Sequence, residues 1–439
     1  MDVFKDKLLS SFIVFENQLN GQKKQPFHQK RREAIDVFEV KGFPTVKDEE
    51  WKYTNLKPLF NKDFNVFHPG EDSLEFSDIR RFFLSESDTY KIVFINGIFA
   101  SWLSSTTHLN YDICTFSAAL ENHRDVVDKY AGSIARNQES LTALNTSFAK
   151  EGAFINIPDG KVVDRPIEVL YFTTDSDNNT FIQPRNLVVV GKNAECCIVE
   201  RHQSLGKQLT VNNSVTEVMA HAGAQVTYHK IQNDDDNASL IDSTTIKQER
   251  DSKVTVHTFS FGGKITRNNL EFDLTEAGAE AYLYGVSILD KRQLVDNHTI
   301  VNHMVPNCYS NELYKGIFDD NSRGVFNGKI HVHPHAVKTN AFQENNNLLL
   351  SDKASIDTKP QLEIYADDVK CSHGCTIGQL DEDALFYLRQ RGIGVKEAQA
   401  LLMLAFTTDA LKEIKIPELK SKLNRLIARK LNVNLDFNL

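Results

Sequence analysis

Lys192-Asn193-Ala194-Glu195-Cys196-Cys197-Ile198-Val199, Ala222-Gly223-Ala224-Gln225-Val226-Thr227-Tyr228, Asp251-Ser252-Lys253-Val254-Thr255-Val256-His257 and Ala277-Gly278-Ala279-Glu280-Ala281-Tyr282-Leu283-Tyr284-Gly285 are variants of one phrase. Each places a small or polar turn before a run of alternating, strand-favouring residues. The phrase returns after 30, 29 and 26 residues, counted from Lys192, Ala222, Asp251 and Ala277. Self-similarity at about 20–50 residues marks a solenoid. With strands as the repeated content, the expected structure is a parallel β-helix in which each coil buries its apolar face on the next. A fifth turn, Asp352-Lys353-Ala354-Ser355, also enters the pattern, and the 75 residues from Gly278 to Lys353 must hold further coils.

The strand texture runs from about Gly152 to Asp368 without a helical period, which argues against a doubly wound α/β sheet. Helical patterns flank it. Phe4, Leu8, Phe12, Phe15 and Leu19 recur at spacings of three and four, and a second helix near Lys30–Lys41 ends at Gly42 and Pro44. In Glu50-Trp51-Lys52-Tyr53-Thr54, Trp51 reads as an aromatic core anchor. Towards the end, Asp381 is an N-cap for a helix through Ala384–Gln390 that Gly392 stops. A helix over Val395–Lys412 and another starting at Pro417 follow. The division expected is an N-terminal helical domain over residues 1–150, a β-helix over 151–378 and a C-terminal helical domain over 379–439, the helices capping the open ends of the β-helix.

The 439 residues carry 50 basic and 59 acidic side chains, a net charge of −9. That sign opposes non-specific binding to nucleic acid or anionic membranes. No run reaches spanning length, and the N-terminal Ser-Ser-Phe-Ile-Val-Phe lacks the features of a secretory signal. Six cysteines, two of them adjacent, do not form a disulfide scaffold, so a reducing cytoplasm is expected.

Cys371, His373 and Cys375 alternate between a strand-like run and a helix start. On a strand, side chains two apart share a side at about 6–7 Å, so Cys371 and His373 can serve one target. Gly374 suggests a turn that would swing Cys375 away. A tetrahedral zinc site needs four donors and an iron–sulfur cluster about four thiolate-type ligands, so this row is incomplete alone. The alternative is a buried structural Cys371 with His373 as a helix cap.

His331, His333 and His335 also alternate, but Pro334 marks a strand end and no acidic or thiol partner is near in sequence, so they read as solvated or hydrogen-bonded. Asp234-Asp235-Asp236-Asn237 lacks the calcium-loop pattern. Gly262-Gly263-Lys264 lacks the first glycine and the final Ser/Thr of a phosphate loop, so the chain has no P-loop ATPase site. No Gly-x-Ser-x-Gly elbow or catalytic Cys motif occurs. Of Cys196 and Cys197, on opposite sides of one strand, only the outward one could react.

The run Asp357–Gly374, DTKPQLEIYADDVKCSHG, with Leu385-Phe386-Tyr387-Leu388-Arg389 and Arg391-Gly392-Ile393 after it, resembles the SufB/SufD family of the SUF iron–sulfur cluster assembly system, on its SufD side. Phe326-Asn327-Gly328-Lys329-Ile330, Asn345-x-Asn347-Leu348-Leu349-Leu350-Ser351 and Glu50-Trp51-Lys52-Tyr53-Thr54 support the likeness. The resemblance implies a right-handed parallel β-helix between helical domains. It also implies a non-enzymatic scaffold that pairs with SufB and docks the ATPase SufC on its C-terminal helices, where Arg391, Gly392, Ile393, Ala398, Leu402 and Phe406 fall. It further implies that Cys371 and His373 lie at the SufB–SufD interface and share a transient iron or cluster with a SufB cysteine, Cys375 being inert. The rival expectations are a SufB-like main scaffold, a polysaccharide-active β-helix enzyme, and an adaptor that only holds SufC. When alone, the chain could also pair as a homodimer through a β-helix edge.

Overall fold

The repeated turn is a left-handed kink. Asn193, Gly223, Asp251, Gly278, Asn307, Lys338 and Asp368 all take positive φ, from 53° to 77°. Each stands two residues before a strand, and the residues that open those strands, Glu195, Gln225, Lys253, Glu280, Tyr309, Asn340 and Lys370, stack partner upon partner. A non-glycine residue in this region costs about 1–2 kcal/mol, least for Asn and Asp. The glycines have a second reason: a Cβ on Gly223 would lie 2.2 Å from Asn193 Oδ1, and one on Gly278 2.1 Å from Asp251 Oδ1. Asp352-Lys353-Ala354-Ser355 does not belong to this series, because it precedes a strand of the opposite sheet. The gap between Gly278 and Lys353 is filled by Asn307 and Lys338, and Asp368 continues the series.

The computed structural model describes residues 1–19, 23–66, 74–85, 88–106 and 110–431. The end of the expected C-terminal domain, 432–439, lies outside the described residues. The strands are β1 (Tyr90–Ile95), β2 (Ile98–Phe99), β3 (Asp112–Thr115), β4 (Ala153–Ile157), β5 (Ile167–Thr173), β6 (Thr180–Ile182), β7 (Arg185–Val190), β8 (Glu195–Ser204), β9 (Thr210–Ala220) and β10 (Gln225–Gln232). They continue as β11 (Ala238–Gln248), β12 (Lys253–Ser260), β13 (Ile265–Leu274), β14 (Glu280–Leu289), β15 (Leu294–His303), β16 (Tyr309–Phe318), β17 (Arg323–Val332), β18 (Asn340–Leu349), β19 (Ser355–Ile364) and β20 (Lys370–Gly378). One sheet runs β2-β1-β5-β8-β10-β12-β14-β16-β18-β20 and the other β19-β17-β15-β13-β11-β9-β7-β4-β3. All neighbours pair in parallel except β1 with β2 and β3 with β4. This is the expected parallel β-solenoid, with helices before and after it.

The helices are α1 (Asp2–Gln18), α2 (Pro26–Lys41), α3 (Lys57–Phe60), α4 (Phe76–Ile79), α5 (Phe116–Asn122), α6 (Arg124–Tyr130), α7 (Ser140–Phe148), α8 (Glu382–Gln390), α9 (Val395–Leu411) and α10 (Pro417–Lys430). They do not cap the ends as expected. The stripe Phe4, Leu8, Phe12, Phe15 and Leu19 joins a core with Phe181, Val211 and Ile241 on the outer face of the second sheet. α9 and α10 pack Ala400, Met403, Leu419, Leu423 and Ile427 against Val199, Ile231, Phe259, Val286, Ile288 and Ile317 of the first sheet. The sheets carry apolar rows outside as well as inside, and the helices cover those rows. The N-terminal end of the solenoid is closed by β2 and β3, whose antiparallel pairing ends the coil series. At the C-terminal end, β19 and β20 are both last in their sheets.

The N-terminal region is locked to the solenoid by buried charge. Glu217 on β9 accepts hydrogen bonds from the backbone of Gly132, Ile134 and Ala135 and from Arg185, a pair with both side chains fully buried. Trp51 is buried as expected, and its ring lies 4.4 Å beneath the Arg267 guanidinium. The same segment places Glu50 beside His298 and Thr54 against Asp296.

Candidate functional site

β20 is the last strand of its sheet and pairs with β18 over its whole length. The expected turn at Gly374 does not form: Gly374 stands opposite Glu344 and Cys375 opposite Asn345 in unbroken register. The strand period of two therefore keeps Cys371, His373, Cys375 and Ile377 on one face. That face looks into the solenoid, because Cys371 packs against the interior group of Ile330, Val332, Ala336, Ala341 and Ala366.

Along this row exposure rises. Cys371 is half-buried, whereas His373 and Cys375 are exposed. Burial pushes the Cys371 thiol above its ordinary range, while a backbone hydrogen bond from Ala341 pulls the other way. Cys375 Sγ donates to Thr358 Oγ1 on β19 at 3.3 Å. The three donors thus line the last coil at its open end.

Beneath the row lies a polar floor that sequence reasoning missed. Gln343, Asn345 and Asn347 of β18, the register partners of His373, Cys375 and Ile377, are buried and alternate on the interior face. Asn347 Nδ2 donates to Asn345 Oδ1 at 2.8 Å, and Gln343 Nε2 donates to Glu312 Oε2 at 2.7 Å. Burial pushes the Glu312 carboxyl up to about 7 against the hydrogen bonds of Thr299 and Gln343. Gly328 makes room for this: a Cβ there would stand 2.4 Å from Gln343 Nε2. The signal was present as Asn345-x-Asn347 and Phe326-Asn327-Gly328, but a strand of alternating amides reads as solvent-facing until the solenoid is known.

Elsewhere the candidates separate. His331 and His333 bring their rings to 4.3 Å, but β17 ends at Val332 and His335 stands apart, exposed. Cys196 is in the interior core and Cys197 points outward as expected, yet burial pushes the Cys197 thiol up to about 12, away from the thiolate form that reacts. Glu200, His202, Lys230 and Asp242 form an ion-paired cluster sealed inside the solenoid, with Lys230 2.6 Å from Asp242. Among the described residues, no group of three or more His, Cys, Asp or Glu side chains is arranged to hold a metal ion.

Of the residues placed on the C-terminal helices, Arg391 and Gly392 are exposed, with Arg391 Nη2 donating to the Tyr387 hydroxyl at 2.9 Å. Ile393 and Leu402 are half-buried. Ala398 is buried, and the Phe406 ring lies 4.8 Å from Lys315 Nζ on β16. The largest exposed apolar surface on α8 comes from Phe386 and Tyr387, at 62% and 58% exposure.

The family profile "SUF system FeS cluster assembly, SufBD core domain" matches residues 172–406, and "SufBD protein N-terminal region" matches 4–169. The chain belongs to the SufBD family. Among the relatives of this SufBD protein is an iron–sulfur cluster assembly SufBD family protein of Synechocystis, 35% identical over 91% of this chain and 90% of the relative. The iron–sulfur cluster assembly protein SufD of Escherichia coli is 30% identical over 89% of this chain and 90% of its own length. SufD of Bacillus subtilis is 29% identical over 71% and 72%. The expectation of a polysaccharide-active enzyme gives way to this family, whose members serve iron–sulfur cluster assembly as scaffold components. No helix among the described residues is long and apolar enough to cross a membrane.

Proposed function

We propose that this SufBD protein is the SufD-type scaffold subunit of a SUF assembly complex, contributing Cys371 and His373 to a transient iron or nascent-cluster site that a SufB-like partner completes. The observation that carries this reading is the open last coil. β20 ends its sheet, so its outer backbone edge is available for another chain, and strand addition is the mode such an edge favours. A partner strand there would bring its own donors against the row, which supplies too few alone. Iron or the cluster is cargo here, held between chains. ATP hydrolysis falls to a SufC-like partner docked on the C-terminal helices, and work is coupled to the scaffold only if that partner's nucleotide state biases two arrangements of the complex.

The docking half is tested by co-purification of the tagged chain with SufB-like and SufC-like subunits. Arg391→Glu, an exposed position, should leave SufB pairing intact and reduce SufC recovery. Unchanged SufC recovery would remove the C-terminal helices from the ATPase interface.

A further inference from the structure

Another charged cluster lies where the N-terminal region, the solenoid and the last helix meet. Leu84 packs with Val199 and Ile231 of the first sheet and with Leu423 and Ile427 of α10 in one apolar core, so the chain just before it runs along that seam. Two cations converge there. Lys422 of α10 donates to the carbonyl of Phe83 and, at 3.3 Å, to that of Arg81. From β8, the Arg201 guanidinium reaches to 6.0 Å from the Phe82 ring between those carbonyls. Arg425, exposed on α10, adds its charge to that of Arg201 on Lys422. In a chain of net charge −9 this is a local excess of positive charge.

Arg201 is 7% exposed, and its guanidinium makes no hydrogen bond or ion pair among the described residues. Glu168 is the carboxylate whose charge bears on it, but the Glu168 oxygens accept elsewhere: Oε2 from the Leu84 amide at 2.9 Å and Oε1 from the Thr89 hydroxyl at 2.6 Å. Burial pushes Arg201 down to about 10, and burial, then the charge of Arg201, lower Lys422. A guanidinium is a planar fork of N–H donors that matches paired oxygens of an oxyanion, and it is costly to bury without acceptors. The fork needs oxygen atoms and the neighbouring cations need negative charge; one small oxyanion supplies both.

We propose that Arg201, with Lys422 and Arg425, forms a binding site for a phosphate-sized oxyanion, either free phosphate or the terminal phosphate of a nucleotide. The depth of Arg201 excludes larger groups from the fork itself. An anion there ties β8 to α10 and to the chain before Leu84, so it fastens the C-terminal helices to the solenoid. The site is independent of Cys371 and His373.

The test uses the full chain at constant ionic strength, with chloride exchanged for inorganic phosphate. Isothermal titration calorimetry should show saturable phosphate binding by the wild type, and the melting temperature should rise along the same curve. Arg201→Leu should lose both effects, yet melt no lower than the wild type in chloride alone, because it removes a buried charge that has no partner. Arg425→Gln, at an exposed position, should weaken phosphate binding several-fold. ADP separates the two sources. ADP binding tighter than phosphate, and lost in Arg201→Leu, marks a terminal-phosphate site, whereas phosphate binding as tight as ADP or tighter marks free phosphate. A wild type that binds neither, or an Arg201→Leu variant that binds phosphate as the wild type does, overturns the proposal. Should Arg201→Leu not fold, Arg425→Gln decides: phosphate affinity equal to that of the wild type overturns it.

Discussion

Replacing His257 by Phe should stabilise the protein, and increasingly so in acid. His257 is fully buried on the sheet face that it shares with Phe259, which the C-terminal helices cover, and neither ring nitrogen has a hydrogen-bond partner among the described residues. Its neighbours are the rings of His229 at 4.6 Å, Tyr284 at 5.1 Å and Phe259 at 6.2 Å. An unpaired buried polar group costs about 1–3 kcal/mol, so a phenyl ring of similar shape should gain about 1–2 kcal/mol at neutral pH. Burial, then the neighbouring His229, hold the His257 pKa well below its ordinary value. The unfolded chain therefore binds a proton below about pH 6.5 that the native state refuses, and native stability falls as pH falls. Removing that group should widen the gap between variant and wild type by about 2 kcal/mol from pH 7 to pH 5. Urea unfolding followed by circular dichroism across that range measures both terms. Parallel curves, or a variant less stable at pH 7, would mean that the ring nitrogens are satisfied and the seam is not dry.

Other substitutions probe the remaining joints. Arg185→Met leaves the buried Glu217 carboxylate without its cationic partner and should cost about 3–5 kcal/mol in urea unfolding; a loss below about 1 kcal/mol would refute the lock between the N-terminal region and the solenoid. Gly328→Ala drives a Cβ to 2.4 Å from Gln343 Nε2 and should cost about 1–3 kcal/mol in urea unfolding. Gly223→Ala meets both a positive φ and Asn193 Oδ1, whereas Asp251→Gly at the equivalent turn should be near neutral in thermal unfolding.

The turns made the solenoid legible. Asn193, Gly223, Asp251 and Gly278 mark one corner because only residues that tolerate left-handed backbone fit there, and four such turns in regular spacing suffice to infer coils. The signal faded after Gly278 because Lys338 fills the same corner without looking like a turn residue, whereas the turn-like Asp352-Lys353-Ala354-Ser355 leads into a strand of the opposite sheet. The donor row was legible as alternation, but the effect of Gly374 was misjudged: glycine permits a turn without requiring one, and pairing with β18 keeps it extended. The placement of the helices was not legible at all. An apolar stripe such as Phe4, Leu8, Phe12 and Phe15 states that a face is buried and says nothing about which surface buries it.

The central claim is that the last coil holds half of a site completed by another chain. Anaerobic co-expression with SufB-like and SufC-like partners, followed by iron and sulfide analysis of the purified complex, tests it most directly. His373→Ala should leave the complex assembled and its iron and sulfide content sharply reduced, while an assembled complex with wild-type iron and sulfide would contradict it.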